Sequence, residues 1–196
     1  LDAFSDYMRL ILRKTEHTRY LSKNNNAILR LGSMLRAFEN AQFLLPIRDP
    51  IQHAMSLQSQ HLRFKDTDRF TADYMRWLAH HEFGATQRPF LFGGNELNGT
   101  PDDLDYWLGM WIGAYTHLSS VAAGAPHAQF VPFEALSRQE NIWPAIAGKI
   151  GIEGARQTEL RAIADREPPP HDHALAATAR QLYDRICAQA MPALDV

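Results

Sequence analysis

Gln42-Phe43-Leu44-Leu45-Pro46-Ile47-Arg48-Asp49-Pro50-Ile51-Gln52-His53-Ala54-Met55-Ser56 is the stretch that decides how this chain folds. Phe43, Leu44, Leu45 and Ile47 form an apolar run of strand length, too short for a helix. Asp49 is a good N-cap, and Pro50 suits the first helical position, where its missing N–H costs nothing. Arg48 is thereby left at the carboxyl end of the strand, facing the amino end of the next helix. In an open α/β sheet that crevice is where ligands bind. A helix N-terminus flanked by an arginine is also an anion site, and Ser56, two turns into the helix, adds a hydroxyl donor. The plainer alternative is a helix start whose arginine is merely solvated.

Around this stretch the pattern is helix-rich. Leu1, Phe4, Met8, Ile11 and Leu12 keep helical spacing and predict an opening helix to about Thr18. Arg19 to Ser22 is a short strand candidate, with Lys23 to Asn26 as its turn. Asn26 is placed to cap a second helix with Ile28, Leu31, Leu35 and Phe38 on its apolar face. Strand, helix and central strand in that order imply parallel pairing with a right-handed crossover. Beyond Asp49 a helix is expected to about Phe64. Another is expected from about Arg69 to Glu82, with Phe70, Tyr74, Trp77 and Leu78 inside. Phe83 to Gly99, rich in glycine and containing Pro89, reads as a long loop of the kind that forms lids or binding edges.

Thr100-Pro101-Asp102-Asp103 carries a cap, a first-position proline and first-turn acids, so a helix is expected from there to about Ala122. Trp107 and Trp111, one turn apart, are read as core. Ala128 to Pro132 is a third strand candidate, followed by Phe133-Glu134-Ala135-Leu136. Helices are expected at Ile142–Ile150 and Glu153–Ala164. Pro168 to Pro170 is a stiff break, and Asp172 to about Ala190 closes the chain. The fold class expected is α/β: a short parallel sheet flanked by helices, in one domain over residues 1–196.

Composition narrows the function. With 196 residues, 45% of them hydrophobic and a net charge of −2, the chain can bury a sizeable core and carries no basic block for bulk nucleic-acid binding. No apolar run approaches the roughly 18 residues a membrane span needs. Charges scattered through residues 1–19 argue against a signal peptide. A single cysteine, Cys187, rules out an internal disulfide and fits a reducing, cytoplasmic setting. The start at Leu1 reads as a processed or truncated piece. The nine histidines follow no metal-ligand spacing, and no G-x-S-x-G turn announces a serine nucleophile.

Together these features resemble the central and C-terminal part of sulfotransferases that use 3′-phosphoadenosine 5′-phosphosulfate. In that family an apolar strand leads into Arg, Asp or Asn, and Pro, with a Ser after five further residues. Arg48, Asp49, Pro50 and Ser56 match this pattern. Val131-Pro132-Phe133-Glu134-Ala135-Leu136 resembles the family's aromatic–Glu–x–Leu segment, and Gly151 matches a following glycine. Leu21-Ser22-Lys23-Asn24 resembles the strand end that carries the family's lysine. The likeness covers roughly Tyr20 to Gly151.

The resemblance implies a P-loop nucleotide-kinase-like fold lacking its N-terminal strand, and transfer of a sulfuryl group to a hydroxyl or amine acceptor. Arg48 and Ser56 would hold the 3′-phosphate, in the donor and in the product adenosine 3′,5′-bisphosphate. Lys23 would act at the sulfuryl group, with no metal and no nucleic acid involved. The acceptor would approach over the Phe83–Gly99 loop and the start of the Thr100 helix, and Glu134 would be structural. Three features depart from the family. Its 5′-phosphosulfate turn is absent from this sequence, Asn25 stands where some members place a histidine base, and no basic glycine-rich closing loop is visible. Arg156, Arg161 and Arg166 are the candidates for that last role, with solvated helix charges as the alternative. Two further readings stay open: a degenerate, non-catalytic domain binding a partner or nucleotide, and a P-loop kinase relative.

Overall fold

A computed structural model describes residues 2–93, 97–138, 142–153 and 165–193. The expected helix at Glu153–Ala164, with Arg156 and Arg161, lies almost entirely outside the described residues. The chain divides into two compact units, Leu1–Ala41 and Gln42–Val196.

The first unit holds helix α1 (Asp2–Thr15), a 3-10 helix (Asn25–Arg30) and helix α2 (Leu31–Ala37). The expected strand at Arg19–Ser22 does not form: residues 19–24 have no regular structure, and Leu21 is exposed. No strand pairs with those few residues among the described residues, and α1 ends at Thr15, short of the expected Thr18. Asn24, not Asn26, is the cap: its Oδ1 accepts the Asn26 N–H at 2.8 Å and opens the 3-10 helix.

In the second unit, strand β1 (Phe43–Ile47) pairs in parallel with strand β2 (Ala128–Pro132), Phe43 opposite Ala128 and Ile47 opposite Pro132. Among the described residues the sheet has these two strands, not the three expected. Each is then an edge, which is why Pro46 and Pro132 are tolerated inside them. Parallel pairing requires a long crossover. It is supplied by helices α3 (Pro50–Lys65), α4 (Arg69–Trp77) and α5 (Leu104–Ala122).

Helix α5 is the core of the unit and packs against α3 and against the last helix, α8 (His173–Ala193). Trp107 and Trp111 are 1% and 2% exposed, as their one-turn spacing predicted. Helix α5 starts later than expected. Asp103 is its N-cap, and the Asp103 carboxylate turns back to accept from the Thr100 N–H and hydroxyl, both at 2.8 Å. Short helices α6 (Phe133–Arg138) and α7 (Ile142–Lys149) follow β2, and Val131, Ile142 and Ile146 form a satellite core there.

Helix α4 corrects a second expectation. It ends at Trp77, and Phe70 and Trp77 are each 79% exposed instead of inside. Phe70, Tyr74 and Trp77 stack on one another along the helix, so the amphipathic stripe satisfies itself in part without entering the core.

Candidate functional site

The amino end of α3 is built by the local signals the sequence carries. The Asp49 Oδ1 accepts from the Gln52 N–H at 2.9 Å, closing the first turn, and Pro50 takes the first helical position. This fixes Arg48 at the exit of β1. Two turns of helix bring Ser56 under it: Arg48 Nη1 donates to Ser56 Oγ at 3.1 Å. The Arg48 guanidinium also lies 5.6 Å from the centre of the Phe133 ring.

A second arginine reaches the same hydroxyl. Arg166 Nη2 donates to Ser56 Oγ at 3.3 Å. A serine hydroxyl has two acceptor lone pairs and one donor. Both lone pairs of Ser56 are engaged by guanidinium groups, which leaves its O–H as the one donor of the group. Among the described residues neither Arg48 nor Arg166 makes an ion pair with a carboxylate. Two like charges converging on one neutral oxygen, at the positive end of a helix, gain most from a bound anion. Arg48, but neither Arg166 nor Ser56, also lines a cavity of about 50 Å³, together with Gln52, Phe133, Glu134, Ser137, Arg138 and Asp165. That is room for a few waters or one tetrahedral anion.

Two of the surrounding acids are committed elsewhere. Glu134 Oε1 accepts from the Asp49 N–H at 2.9 Å, and its Oε2 accepts from the Tyr183 hydroxyl at 2.7 Å. Glu134 thus ties the start of α3 to α8, the structural role expected for it. Burial, and then the bond to Glu134, push the Tyr183 hydroxyl far above its usual range. Asp49 is ion-paired with Arg180. His53, one turn into α3, is lowered from 6.5 to about 4, first by burial and then by the Arg48 charge, with Glu134 opposing. Cys187 is raised by burial, which fits packing and not nucleophilic chemistry.

At the other end of α3 lies an open cleft of about 280 Å³, bordered by His61, Lys65, Gly84, Gln87, Thr100 and Asp102. His61 is buried. Its Nδ1 accepts from the Gly84 N–H at 3.2 Å and its Nε2 faces Asp102 at 3.4 Å, while Lys65 pairs with the same carboxylate. Burial lowers the His61 pKa, with Asp102 opposing. The charges at this end cancel.

Of the residues singled out in the sequence, Arg48 and Ser56 meet in the second unit. Lys23 is exposed on the irregular segment of the first unit. Arg166 joins Arg48 and Ser56, whereas Arg156 and Arg161 lie outside the described residues. Sequence reasoning missed Gln52, whose only signal was an amide at a helix position that otherwise faces the core. No protein-family profile, curated protein or solved structure matches this chain.

Proposed function

We propose that the amino end of α3 binds the 3′-phosphate of 3′-phosphoadenosine 5′-phosphosulfate, and that the protein is a sulfotransferase with the P-loop nucleotide-kinase-like fold of that family. The observation that carries the reading is the pair of guanidinium groups, Arg48 and Arg166, sharing the Ser56 hydroxyl with no ion-paired carboxylate among the described residues. The donor set fits a phosphomonoester: two guanidinium groups meet at one hydroxyl near a helix N-terminus, and Arg48 also borders a small cavity.

The nucleotide supplies the sulfuryl group, carried on a leaving phosphate. In this reading Arg48, Arg166 and Ser56 hold the far phosphate and fix the donor in register, which is where orientation lowers the barrier. Lys23 is assigned to the charge that develops on the sulfuryl oxygens during in-line transfer. The acceptor, a hydroxyl or amine, loses a proton as the new bond forms. The neutral cleft at the far end of α3, at the loop and helix start expected to receive it, suits an uncharged acceptor. A reducing, cytoplasmic setting belongs to the same proposal and rests on the lone Cys187. Among the described residues no helix is long and apolar enough to cross a membrane.

A second reading, nucleotide binding without transfer, draws on Asn25, which cannot accept a proton where some sulfotransferases carry histidine. Titration of the protein with adenosine 3′,5′-bisphosphate and with ATP tests the donor site. Preferential binding of the bisphosphate is expected. Preference for ATP would make the chain a kinase relative, and binding without sulfuryl transfer to any hydroxyl or amine acceptor would favour the second reading.

A further inference from the structure

Gln52 and His61 are the buried polar residues among those described. Burying an amide is costly unless every hydrogen bond is made, and an apolar residue of similar volume would pack at that position of α3 without the cost. The Gln52 amide is used on a partner 114 residues away. Its Nε2 donates to the Arg166 carbonyl at 2.8 Å, and its Oε1 accepts from the Arg166 N–H at 3.0 Å. This is the pairing of two adjacent strand residues, made by one side chain against one backbone unit.

The clamp holds the residue whose side chain reaches Ser56. The segment is also fixed six residues on, where the Asp172 N–H donates to Asp105 Oδ1 of α5 at 2.9 Å. Between the two anchors run Pro168, Pro169 and Pro170, which leave the chain few conformations to lose. Arg166 itself is exposed and has no ion pair to hold it among the described residues, so its place at Ser56 depends on its backbone.

We propose that Gln52 is a positioning residue of the anion site: by clamping the Arg166 backbone it sets the second guanidinium on Ser56 and gives the site its selectivity for a 3′-phosphate. The inference rests on the nucleotide reading given above for the identity of the anion, and on the clamp geometry for the role of Gln52.

The test compares wild type, Gln52→Leu, Arg166→Ala and the double variant in the full chain, titrated with adenosine 3′,5′-bisphosphate and with adenosine 5′-monophosphate. Gln52→Leu should weaken the bisphosphate by about tenfold, as loss of one charge-assisted contact does. It should leave the monophosphate unchanged and add nothing in the Arg166→Ala background. Amide exchange at Arg166 supplies a readout that needs no ligand: the protected N–H should exchange about tenfold faster or more in Gln52→Leu. Equal losses for both nucleotides, or additive losses in the double variant, would overturn the positioning role. Equal exchange at Arg166 in wild type and Gln52→Leu would overturn the clamp whatever binds. If wild type binds neither nucleotide while the exchange difference stands, the selectivity claim and the nucleotide reading both fall, and Gln52 is left as a structural clamp on the Arg166 backbone.

Discussion

The two ends of α3 carry similar groups and treat them in opposite ways. At the carboxyl end Lys65 pairs with Asp102, which also faces His61, and the Lys65 charge complements the helix dipole. At the amino end Arg48 and Arg166 oppose the dipole, share a neutral hydroxyl and have no acid partner among the described residues. Of the nearby acids, Asp49 and Glu134 are engaged by Arg180, Tyr183 and backbone, and Asp165, which borders the cavity with Arg48, forms no ion pair among the described residues. The carboxyl end is arranged as stability would have it. The amino end keeps charge unsatisfied, as a binding site must if the ligand is to supply the missing charge.

The largest test of this contrast removes both cations. Arg48→Ala with Arg166→Ala should weaken adenosine 3′,5′-bisphosphate by about a hundredfold or more, roughly 3 kcal/mol. The melting temperature should not fall, since two charges opposing the dipole are gone. Calorimetry and a thermal melt check the two halves, and a large drop in melting temperature would mean that the arginines are structural.

The buried His53, one turn into α3, gives a pH effect of similar size. His53 titrates at about 4 in the fold and at 6.5 when exposed. The unfolded chain therefore takes up a proton that the folded chain refuses. Stability is full above pH 6.5, falls as pH drops toward 4, and loses roughly 3 kcal/mol over that window. Urea unfolding at pH 7 and pH 4.5 should show a clearly smaller loss for His53→Gln than for wild type. Equal losses would remove His53 from the account.

At the carboxyl end the effect should be on folding alone. His61→Ala opens a hole beside Trp107 and strips the Gly84 N–H of its acceptor, costing about 2 kcal/mol of stability. Bisphosphate affinity of the folded fraction should stay unchanged, and a matching loss of affinity would erase the difference between the two ends. The smallest expected effect is Ser56→Ala at the amino end. Loss of one hydroxyl donor should weaken the bisphosphate about fivefold, near 1 kcal/mol. Unchanged affinity would leave the arginines as the whole site.

How much of this could be read beforehand depended on how local the cause was. β1, the Asp49 cap, α3 and β2 follow from runs of five residues and their flanking turns, and the structure places them as the pattern indicates. The Arg48–Ser56 pair is legible for the same reason: helix geometry alone sets it. Arg19–Ser22 misled because four residues with strand-like composition need a partner strand, and none pairs with them among the described residues. The Phe70–Tyr74–Trp77 stripe misled because spacing reports that residues share a face but not whether anything covers it. Arg166 and Gln52 were illegible as a pair, since a contact spanning 114 residues leaves no local period. In sequence Arg166 was one of three arginines of equal merit.

Titration of adenosine 3′,5′-bisphosphate into wild type, Arg48→Ala and Lys65→Ala tests the central contrast most directly. A loss of tenfold or more, about 1.4 kcal/mol, is expected for Arg48→Ala, with no change for Lys65→Ala. Equal losses, or none in either variant, would contradict a phosphate site at the amino end of α3.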